Sequence, residues 1–386
     1  MTDRLVTTPS ASHCDPVRCF VAIELSKAGW LIAVHTPLRD KISLYKLPAG
    51  KAAPLLALIV SAREKVQAAL RRPVEIVSCY EAGYDGFWLH RVLAEHGICN
   101  HVFDPASLQV NRRARRVKTD RIDVTALVRT LMAHLRGEPK VVSVVRVPSL
   151  AEEDARRLHR ERTRLIAERV AHVNRIKGLC ATQGIYDYEP VRRGRCERFA
   201  ELRSADGNEL GRQLKAELER EIARLELVLK MIKTVEAERD AIVAGEVPAH
   251  PNADKIQRLA KLSGIGPEFA TVMVGEVFHR RFDNRRQVGS YVGLAGSPFQ
   301  SGASAREQGI TKAGNAKART TMIELAWVWL RHQPGSALSA WFRERVGSLK
   351  GRPRRIAIVA LARKLLVALW RYLETGLVPA GAVLKG

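Results

Sequence analysis

Two aspartates, Asp120 and Asp123, stand three residues apart in the segment Lys118–Asp123 (KTDRID). If the segment is helical, positions three apart lie on one face, where two carboxylates repel each other unless a cation lies between them. A hard divalent ion such as Mg²⁺ prefers oxygen ligands of this kind. An isolated pair with this spacing is more often a solvated helix face, so the rest of the chain must decide between the two interpretations.

A strongly basic run directly precedes these aspartates, and Arg121 lies between them. The run offers positive charge to phosphate groups through five side chains: Arg112, Arg113, Arg115, Arg116 and Lys118. Carboxylates that hold a metal ion, beside a basic segment that binds a polyanion, are typical of enzymes that process nucleic acids.

The composition favours the same class of partner. Lys plus Arg number 64 against 40 Asp plus Glu, which gives a formal net charge of +24 over 386 residues. Such an excess favours phosphate binding through counterion release. An acidic membrane surface would compete, but no apolar run reaches the roughly 18 residues of a transmembrane helix. Residues 1–15 contain no apolar signal core. We therefore expect a cytoplasmic protein that binds nucleic acid and no membrane.

The six cysteines predict free thiols in a reducing compartment. They form no CxxC pair and have no zinc-finger spacing to histidine, so a structural zinc site is not expected. Cys79 and Cys99 fall in apolar, strand-like runs and are expected in the core.

Residues 1–148 are predicted to form an α/β domain. Apolar runs predict strands at 18–25, 30–35, 41–47, 74–80 and 98–103, and helical periodicity predicts helices at 52–70 and 87–96. A meander of strands followed by alternating helices and strands is the order of the RNase H-like fold.

This order positions two further acids. Glu24 ends the first predicted strand, and Glu81 follows the fourth. Sites in open α/β sheets gather at the carboxyl ends of strands, so both glutamates could meet the two aspartates around one or two Mg²⁺ ions. Taken singly, Glu24 also fits an exposed strand-end acid and Glu81 a turn residue. Lys27 fits either a phosphate contact or a solvated charge.

Residues 149–247 are predicted to be long helices, over 149–183 and 209–244, with apolar residues at helical or heptad-like spacing. They predict either an antiparallel hairpin within the chain or a coiled coil between chains. We favour the interaction role and expect a homo-oligomer, a dimer or a tetramer. His159 and His172 are expected to be solvated or to face phosphate.

Residues 248–386 are predicted to form a third, mainly α domain, with a linker at 248–252. Two predicted helices joined by a turn at Ser263–Pro267 resemble a helix-hairpin-helix. In that motif, Gly264 and Gly266 would permit a tight turn, and backbone amides at the start of the second helix would face a phosphate. The alternative is a simple helix–helix turn.

The segment Tyr291–Asn315 is rich in glycine and serine and is predicted to be a loop held between packed helices. Such a loop suits a hydroxyl nucleophile or a close backbone approach to phosphate. Ser297, Ser301 and Ser304 compete for the role of nucleophile, and a flexible surface loop is the alternative. The predicted nucleic-acid contacts near its end are Lys312, Asn315 and Lys317.

The chain resembles the DEDD-type insertion-sequence transposases, which are bridge-RNA-guided recombinases with an RuvC-like domain and a C-terminal transposase domain. Six segments carry the resemblance in the family's order, over about residues 18–373: IELSK, YEAGYDG, KTDRID, LSGIGP, GLAGSPFQSG and GITKAGN. The resemblance implies an acidic tetrad that binds Mg²⁺, and Ser301 of QSG as nucleophile. The implied tetrad is Glu24, Glu81, Asp120 and Asp123. The family usually has Asp at the first position, and Glu24 adds a methylene that shifts the carboxylate.

The resemblance further implies a bacterial, nucleoid-associated location, a mechanism and partners. Ser301 would attack a DNA phosphodiester, form a phosphoserine link and release a 3′-hydroxyl. Subunits would assemble on a structured non-coding RNA that pairs with target and donor DNA. Two other classes stay open. One is an RNase H-like nuclease or junction resolvase that uses the carboxylates alone, and the other is a non-catalytic nucleic-acid-binding relative.

Overall fold

The computed structural model describes residues 16–108, 119–247, 250–301 and 304–385, with residues 300, 301 and 304–307 described by their backbone alone. The chain forms two compact units, with the boundary between Pro148 and Ser149. The first unit is built on a mixed sheet, and the second is mainly helical. Within the described part of the chain, no helix is both long and apolar enough to span a bilayer.

Five strands form the sheet of the first unit, in the order β3-β2-β1-β4-β5. They are β1 (Val17–Glu24), β2 (Trp30–Thr36), β3 (Arg39–Leu47), β4 (Val74–Glu81) and β5 (Cys99–Phe103). β1, β2 and β3 pair as an antiparallel meander, whereas β1, β4 and β5 are parallel. The predicted strands and the mixed α/β class are confirmed, and membership of the RNase H-like fold stays a prediction.

Helices cover both faces of this sheet. Alternate side chains of a strand point to opposite faces, so Val21 and Ile23 of β1 pack with α1 (Ala52–Leu70) and α2 (Trp88–Glu95). Ala22 and the other alternate positions pack with α3 (Asp120–Leu135), and a 3-10 turn (Pro105–Ser107) follows β5. Each fully buried Val, Leu or Ile stabilises the unit by about 1.5–3 kcal/mol.

The second unit begins with a long helical hairpin. Its helices are α4 (Leu150–Asp154), α5 (Arg157–Ala181), α6 (Arg195–Ala200) and α7 (Arg212–Ala244). Side-chain pairs join Arg162 to Glu236, His172 to Glu221, and Arg175 to Glu217. Later residues of α5 pair with earlier residues of α7, so the two helices are antiparallel and pair within one chain. A coiled coil between chains stays a prediction.

The hairpin continues into a helical core around the last long helix. The elements are α8 (Ala253–Ala260), α9 (Pro267–Met273), a π-helix (Val274–Phe278), α10 (Arg285–Val292), β6 (Gly296–Ser301), β7 (Ser304–Ile310), α11 (Ala316–His332), α12 (Ala337–Val346) and α13 (Arg352–Thr375). Leu361, Leu365 and Leu366 of α13 are fully buried in a core that also includes Ile242 of α7. Helices α7 and α13 therefore share one core.

Two sequence-based predictions about local structure are wrong. Residues 296–301 and 304–310 pair as antiparallel strands where the sequence predicts a glycine-rich loop, because polar and small residues conceal the cross-strand pairing. Cys79 is buried as predicted, but Cys99 is exposed because it begins β5, which lies at the edge of the sheet.

Candidate functional site

Glu24 and Glu81 end two neighbouring parallel strands. The register pairs Ile23 of β1 with Tyr80 of β4, so the two glutamates occupy the next position on each strand. By alternation, Glu24 lies on the face of Ala22 and Glu81 on the face of Cys79, which is the face that packs against α3. Both glutamates line one cavity of about 200 Å³ at the carboxyl ends of the strands.

The same cavity carries a third acid and a lysine. Asp85 lines it together with Lys27 and Tyr84. The Lys27 Nζ lies 4.4 Å from the centre of the Tyr84 ring, and that ring belongs to a residue 85% exposed. Sequence reasoning did not select Asp85, although it stands in the same YEAGYDG turn as Glu81. A positive charge in a cavity lined by three carboxylates lowers their mutual repulsion.

Helix α3 places the two aspartates on the same side of the sheet. Thr119 caps the helix, its Oγ1 accepting from the Ile122 backbone amide at 3.4 Å. Asp120 and Asp123 precede the buried Val124 and Leu127 by four residues each, so they share the helix face that packs on the sheet. Asp123 is half-buried, whereas Asp120 is exposed.

A contact between α3 and β4 connects the aspartates' helix to the strand of Glu81. The Cys79 thiol lies 3.8 Å from the Leu127 carbonyl. Burial raises the pKa of the Cys79 thiol, and the charge of Glu81 raises it further. The negative charge of Glu81 therefore acts on a thiol at the contact between β4 and α3.

The donor set fits a hard divalent ion in kind, because all four predicted ligands are carboxylates. Across the residues that the structure describes, however, no three His, Cys, Asp or Glu side chains are gathered closely enough to hold a metal ion. The cavity brings Glu24 and Glu81 together, and its lining does not include Asp120 or Asp123. A tetrad that binds Mg²⁺ stays a prediction.

The predicted basic contacts around the aspartates divide into two groups. Arg121 is exposed on the first turn of α3. The basic run lies outside the described residues: Arg112, Arg113, Arg115, Arg116 and Lys118.

The second candidate region is the β6–β7 hairpin. Gly296 pairs with Ile310 at its base, and Ser301 pairs with Ser304 at its other end. Five strand residues at about 3.4 Å each separate the two ends by about 17 Å. The hairpin therefore carries Ser301 and Ser304 at its tip and leaves Ser297 near its base.

Two glycines close the base of this hairpin. A Cβ on Gly293 would lie 2.0 Å from the Ala313 carbonyl oxygen, and one on Gly314 would lie 2.2 Å from the Tyr291 carbonyl oxygen. Both residues also have positive φ, which favours glycine. The Asn315 amide donates to the same Tyr291 carbonyl at 2.9 Å. The backbone of the GITKAGN segment thus packs closely against the end of α10 and connects it to the start of α11.

Asn315 connects this base to a buried carboxylate. Its Oδ1 accepts from the Ala318 amide at 3.0 Å and caps α11, while its Nδ2 donates to Glu276 Oε2 at 2.8 Å. Glu276 lies in the π-helix and is 3% exposed. The structure thus gives Asn315 internal hydrogen bonds, and its predicted contact with nucleic acid stays a prediction.

The Glu276 carboxylate also receives two side chains from α5. His159 Nε2 donates to Oε1 at 2.8 Å, and Arg160 Nε donates to the same oxygen at 2.9 Å. Burial alone would raise the pKa of Glu276, but the hydrogen bonds from His159, Arg160 and Asn315 outweigh it and hold the pKa well below its usual range. The expectation that His159 is solvated is wrong, because the residue is 2% exposed and packs against this carboxylate. His172 is half-buried against Glu221 and is not free in solvent either.

Sequence reasoning missed Glu276. The signal was available in the run Val272–Phe278 (VMVGEVF), where one carboxylate interrupts an otherwise apolar segment. Buried acids of this kind require partners, and here the histidine partner lies 117 residues away in sequence.

The remaining predicted contacts lie around this core. Gly264 has φ +85° and packs so closely on α11 that a Cβ would lie 2.8 Å from His332 Cβ, whereas Gly266 is the extended residue before α9. Lys312 is exposed in the left-handed region, and Lys317 is half-buried in the first turn of α11. Glu268, in the first turn of α9, pairs with arginines of α5 and α7. Phosphate binding at this turn stays a prediction.

Comparison with known proteins identifies the family. Residues 256–340 match the family model described as Transposase IS116/IS110/IS902 family, a segment that includes the GIG turn, the β6–β7 hairpin and Asn315. The protein named "Putative transposase y4rJ" of Sinorhizobium fredii is 50% identical over 384 residues, which cover 98% of this chain and 97% of that protein. The "Transposase for insertion sequence element IS1111A" of Coxiella burnetii is 28% identical over 269 residues, 66% of each chain. With half its residues shared along nearly the full length of a relative, the chain belongs to the IS116/IS110/IS902 family of insertion-sequence transposases.

Proposed function

We propose that this transposase cuts and rejoins DNA through a covalent link to Ser301, assisted by Glu24, Glu81, Asp120 and Asp123. The observation that supports the proposal most is the pairing of Glu24 and Glu81 at the ends of adjacent parallel strands in one cavity. Sites in open α/β sheets gather at the carboxyl ends of strands, which supports a role for these carboxylates at a phosphodiester.

The proposed step exchanges one ester bond for another. The Ser301 Oγ attacks the phosphorus, an Oγ–P bond forms and the P–O3′ bond breaks. The bonding pair goes to O3′, which takes up a proton and leaves as a 3′-hydroxyl. A serine hydroxyl needs activation to act as a nucleophile, since its proton must be removed as the bond forms. Reversal of the step by another 3′-hydroxyl rejoins the DNA.

Divalent Mg²⁺, held by the four carboxylates, would supply stabilisation of negative charge on the phosphate. The side chains themselves contribute positioning and charge. Lys27, beside Tyr84 at the rim of the cavity, offers a positive charge to a phosphate that approaches the acids. Ser301 lies at the tip of the β6–β7 hairpin, at the end opposite its packed base.

We further propose that a structured non-coding RNA guides the reaction and that subunits assemble on it as a dimer or tetramer. The support is the order of the six family-like segments and the net charge of +24. If base pairing with RNA selects the DNA, the protein needs to read mainly backbone shape and charge, which suits basic residues spread along the chain.

The deciding experiment tests for a protein–DNA adduct that survives SDS. Wild-type protein is incubated with the DNA ends of its element, the flanking RNA and Mg²⁺, and adducts are resolved by denaturing electrophoresis. We expect an adduct with the wild type and none with Ser301→Ala. Ser297→Ala and Ser304→Ala are matched controls on the same hairpin and should keep it. An adduct in Ser301→Ala overturns the assignment of the nucleophile.

A second candidate function is that of an RNase H-like nuclease or junction resolvase that uses the carboxylates alone. The pairing of Glu24 with Glu81 favours it independently of any serine, because the two glutamates share one cavity. Under this alternative, the wild type and Ser301→Ala both cleave DNA and neither forms an adduct. Tight binding without cleavage in either protein would indicate a non-catalytic relative.

A further inference from the structure

We propose that Glu276 is a positioning residue for the β6–β7 hairpin, and that its carboxylate fixes the base from which Ser301 projects. The inference rests on the proposed function, because it assigns a purpose to the placement of Ser301. It adds a buried acid in the second unit to a reaction otherwise attributed to the acids of the first.

Three side chains from two separate parts of the chain converge on this one carboxylate. His159 and Arg160 come from α5, and Asn315 comes from the N-terminus of α11. The shortest of these contacts are 2.8 Å, within the range of strong charge-assisted hydrogen bonds. Glu276 therefore joins the helical hairpin to the beginning of α11.

The local backbone is shaped for this convergence. Gly275 precedes the carboxylate, and a Cβ there would lie 2.7 Å from His159 Cε1, so glycine alone lets the imidazole reach Glu276. The segment Val274–Phe278 is a π-helix, a form that is rare and often found at functional sites. Next to it, Arg156 Nη2 lies 2.9 Å from His279 Nε2, which adds a further contact from α5.

A continuous set of hydrogen bonds leads from Glu276 to the hairpin. Asn315, held by the carboxylate, donates its backbone amide to Tyr291. The next links are Lys312 N to Gly293 O at 3.2 Å and Thr311 N to Ala295 O at 2.9 Å. The β6–β7 pairing then begins at Gly296 and Ile310. Loss of the Asn315 anchor would therefore loosen the first links of the ladder that carries Ser301.

The charge of Glu276 is essential to the anchor. A buried carboxylate without partners is costly, whereas one with several donors holds each of them firmly. A glutamine at this position keeps the shape but accepts through one oxygen, and its amide group faces two donors. We expect Glu276→Gln to release Asn315 or one α5 side chain and to leave the rest of the fold in place.

Glu221, on α7 of the helical hairpin, offers a matched control. It also accepts from a histidine, His172 Nδ1 at 2.7 Å, and from Arg224, so its hydrogen bonds within the described part of the chain go to α5 and α7. Glu221→Gln thus removes a comparable histidine–carboxylate pair, which also has its histidine on α5 but its carboxylate on α7. A general loss of stability would affect both variants alike.

The experiment compares wild type, Glu276→Gln, Asn315→Ala and Glu221→Gln as full chains. It measures DNA affinity, the single-turnover rate of adduct formation at saturating DNA, and amide hydrogen exchange over residues 291–315. We expect Glu276→Gln and Asn315→Ala to form adduct about tenfold to a hundredfold more slowly, as small misplacements of a reacting group do. The DNA affinity of Glu276→Gln should stay within about twofold, since this carboxylate is 3% exposed. Exchange over 291–315 should rise in both, and Glu221→Gln should match the wild type.

Equal adduct rates in Glu276→Gln and Glu221→Gln would overturn the inference. If the wild type itself forms no adduct, the proposed function fails, and hydrogen exchange still decides the positioning role. Unchanged exchange over residues 291–315 in Glu276→Gln would then refute it. Should Glu276→Gln fail to fold, Asn315→Ala, which removes one donor to Glu276 together with the cap of α11, carries the same comparison.

Discussion

Asn315 donates a hydrogen bond of 2.8 Å to the carboxylate of Glu276, a residue 39 positions earlier and 3% exposed. One amide side chain thus caps a helix with its oxygen and holds a buried charge with its nitrogen. Two kinds of stabilisation therefore depend on a single residue of the GITKAGN segment.

Replacement of Asn315 by alanine should cost more than the loss of an ordinary helix cap. The change removes the cap of α11 and one donor to Glu276, so we expect a loss of about 2–4 kcal/mol in the free energy of unfolding. Asn284→Ala is the control, because Asn284 caps α10 through Arg286 and Gln287 amides and has no buried carboxylate partner among its described contacts. Urea unfolding of the two variants checks the difference, and equal losses would contradict it.

Stability should fall as the pH drops below about 5. The pKa of Glu276 and that of Glu221 are both lowered in the folded chain, because their hydrogen bonds outweigh the effect of burial. The unfolded chain, with a usual glutamate pKa of about 4.3, therefore binds more protons than the folded chain in the acid range. The stabilisation is complete above that pKa and is lost as the pH falls towards the folded values.

Glu276→Gln should flatten this dependence, because the amide does not titrate. Urea unfolding at a series of pH values between about 6 and 3 measures the slope. A slope identical to that of the wild type would mean that Glu276 is not the source of the acid sensitivity. Ionic strength must be held constant in the series, since surface charges respond to salt.

Alanine at Gly314 should be far more damaging than alanine at Gly309. Both glycines have φ near +90°, which costs an alanine about 1–2 kcal/mol. A Cβ at Gly314 would in addition lie 2.2 Å from the Tyr291 carbonyl, whereas one at Gly309 meets nothing within 4 Å. We expect Gly314→Ala to lower the melting temperature strongly and to abolish adduct formation, with Gly309→Ala only modestly altered. Similar melting temperatures in both would refute the close approach.

Removal of the Glu81 charge should stop strand cleavage and leave folding intact. Under the proposed mechanism, Glu81→Gln lowers the single-turnover rate at least about 100-fold, since a metal ion contributes several kcal/mol to stabilisation of the transition state. Glu75→Gln is the control on the same strand, because Glu75 pairs with Arg18 at the opposite end of β4. Chelation of Mg²⁺ should reproduce the effect. Cleavage by Glu81→Gln at the wild-type rate would exclude Glu81 from the reaction.

The first unit was largely predictable because its strands follow simple alternation and its helices follow apolar periodicity. The predicted start of β2 at residue 30 and both ends of α1 agree with the structure. The closeness of Glu24 and Glu81 also followed from strand order, since parallel neighbours end at the same edge of a sheet. Asp85 escaped selection because turn residues carry no periodicity that would single them out.

The second unit was less predictable, because its decisive contacts join distant parts of the chain. Nothing in the sequence near His159 indicates that its partner is Glu276, and a lone histidine on a helix is ordinarily solvated. The β6–β7 hairpin was hidden for a different reason: its residues are mostly small or polar, so the strands show no alternating apolar pattern.

The contacts of Glu276 also bear on how this chain can be divided. A fragment that begins after α7 would keep Glu276 and Asn315 but lose His159 and Arg160, which supply two of the three side chains on the buried carboxylate. It would also lose Ile242, which belongs to the same core as α13. Such a fragment would have to bury the negative charge of Glu276 with only one of its three side-chain partners. The helical hairpin therefore supports the C-terminal part from within the chain. We expect the two to require expression together and to unfold together.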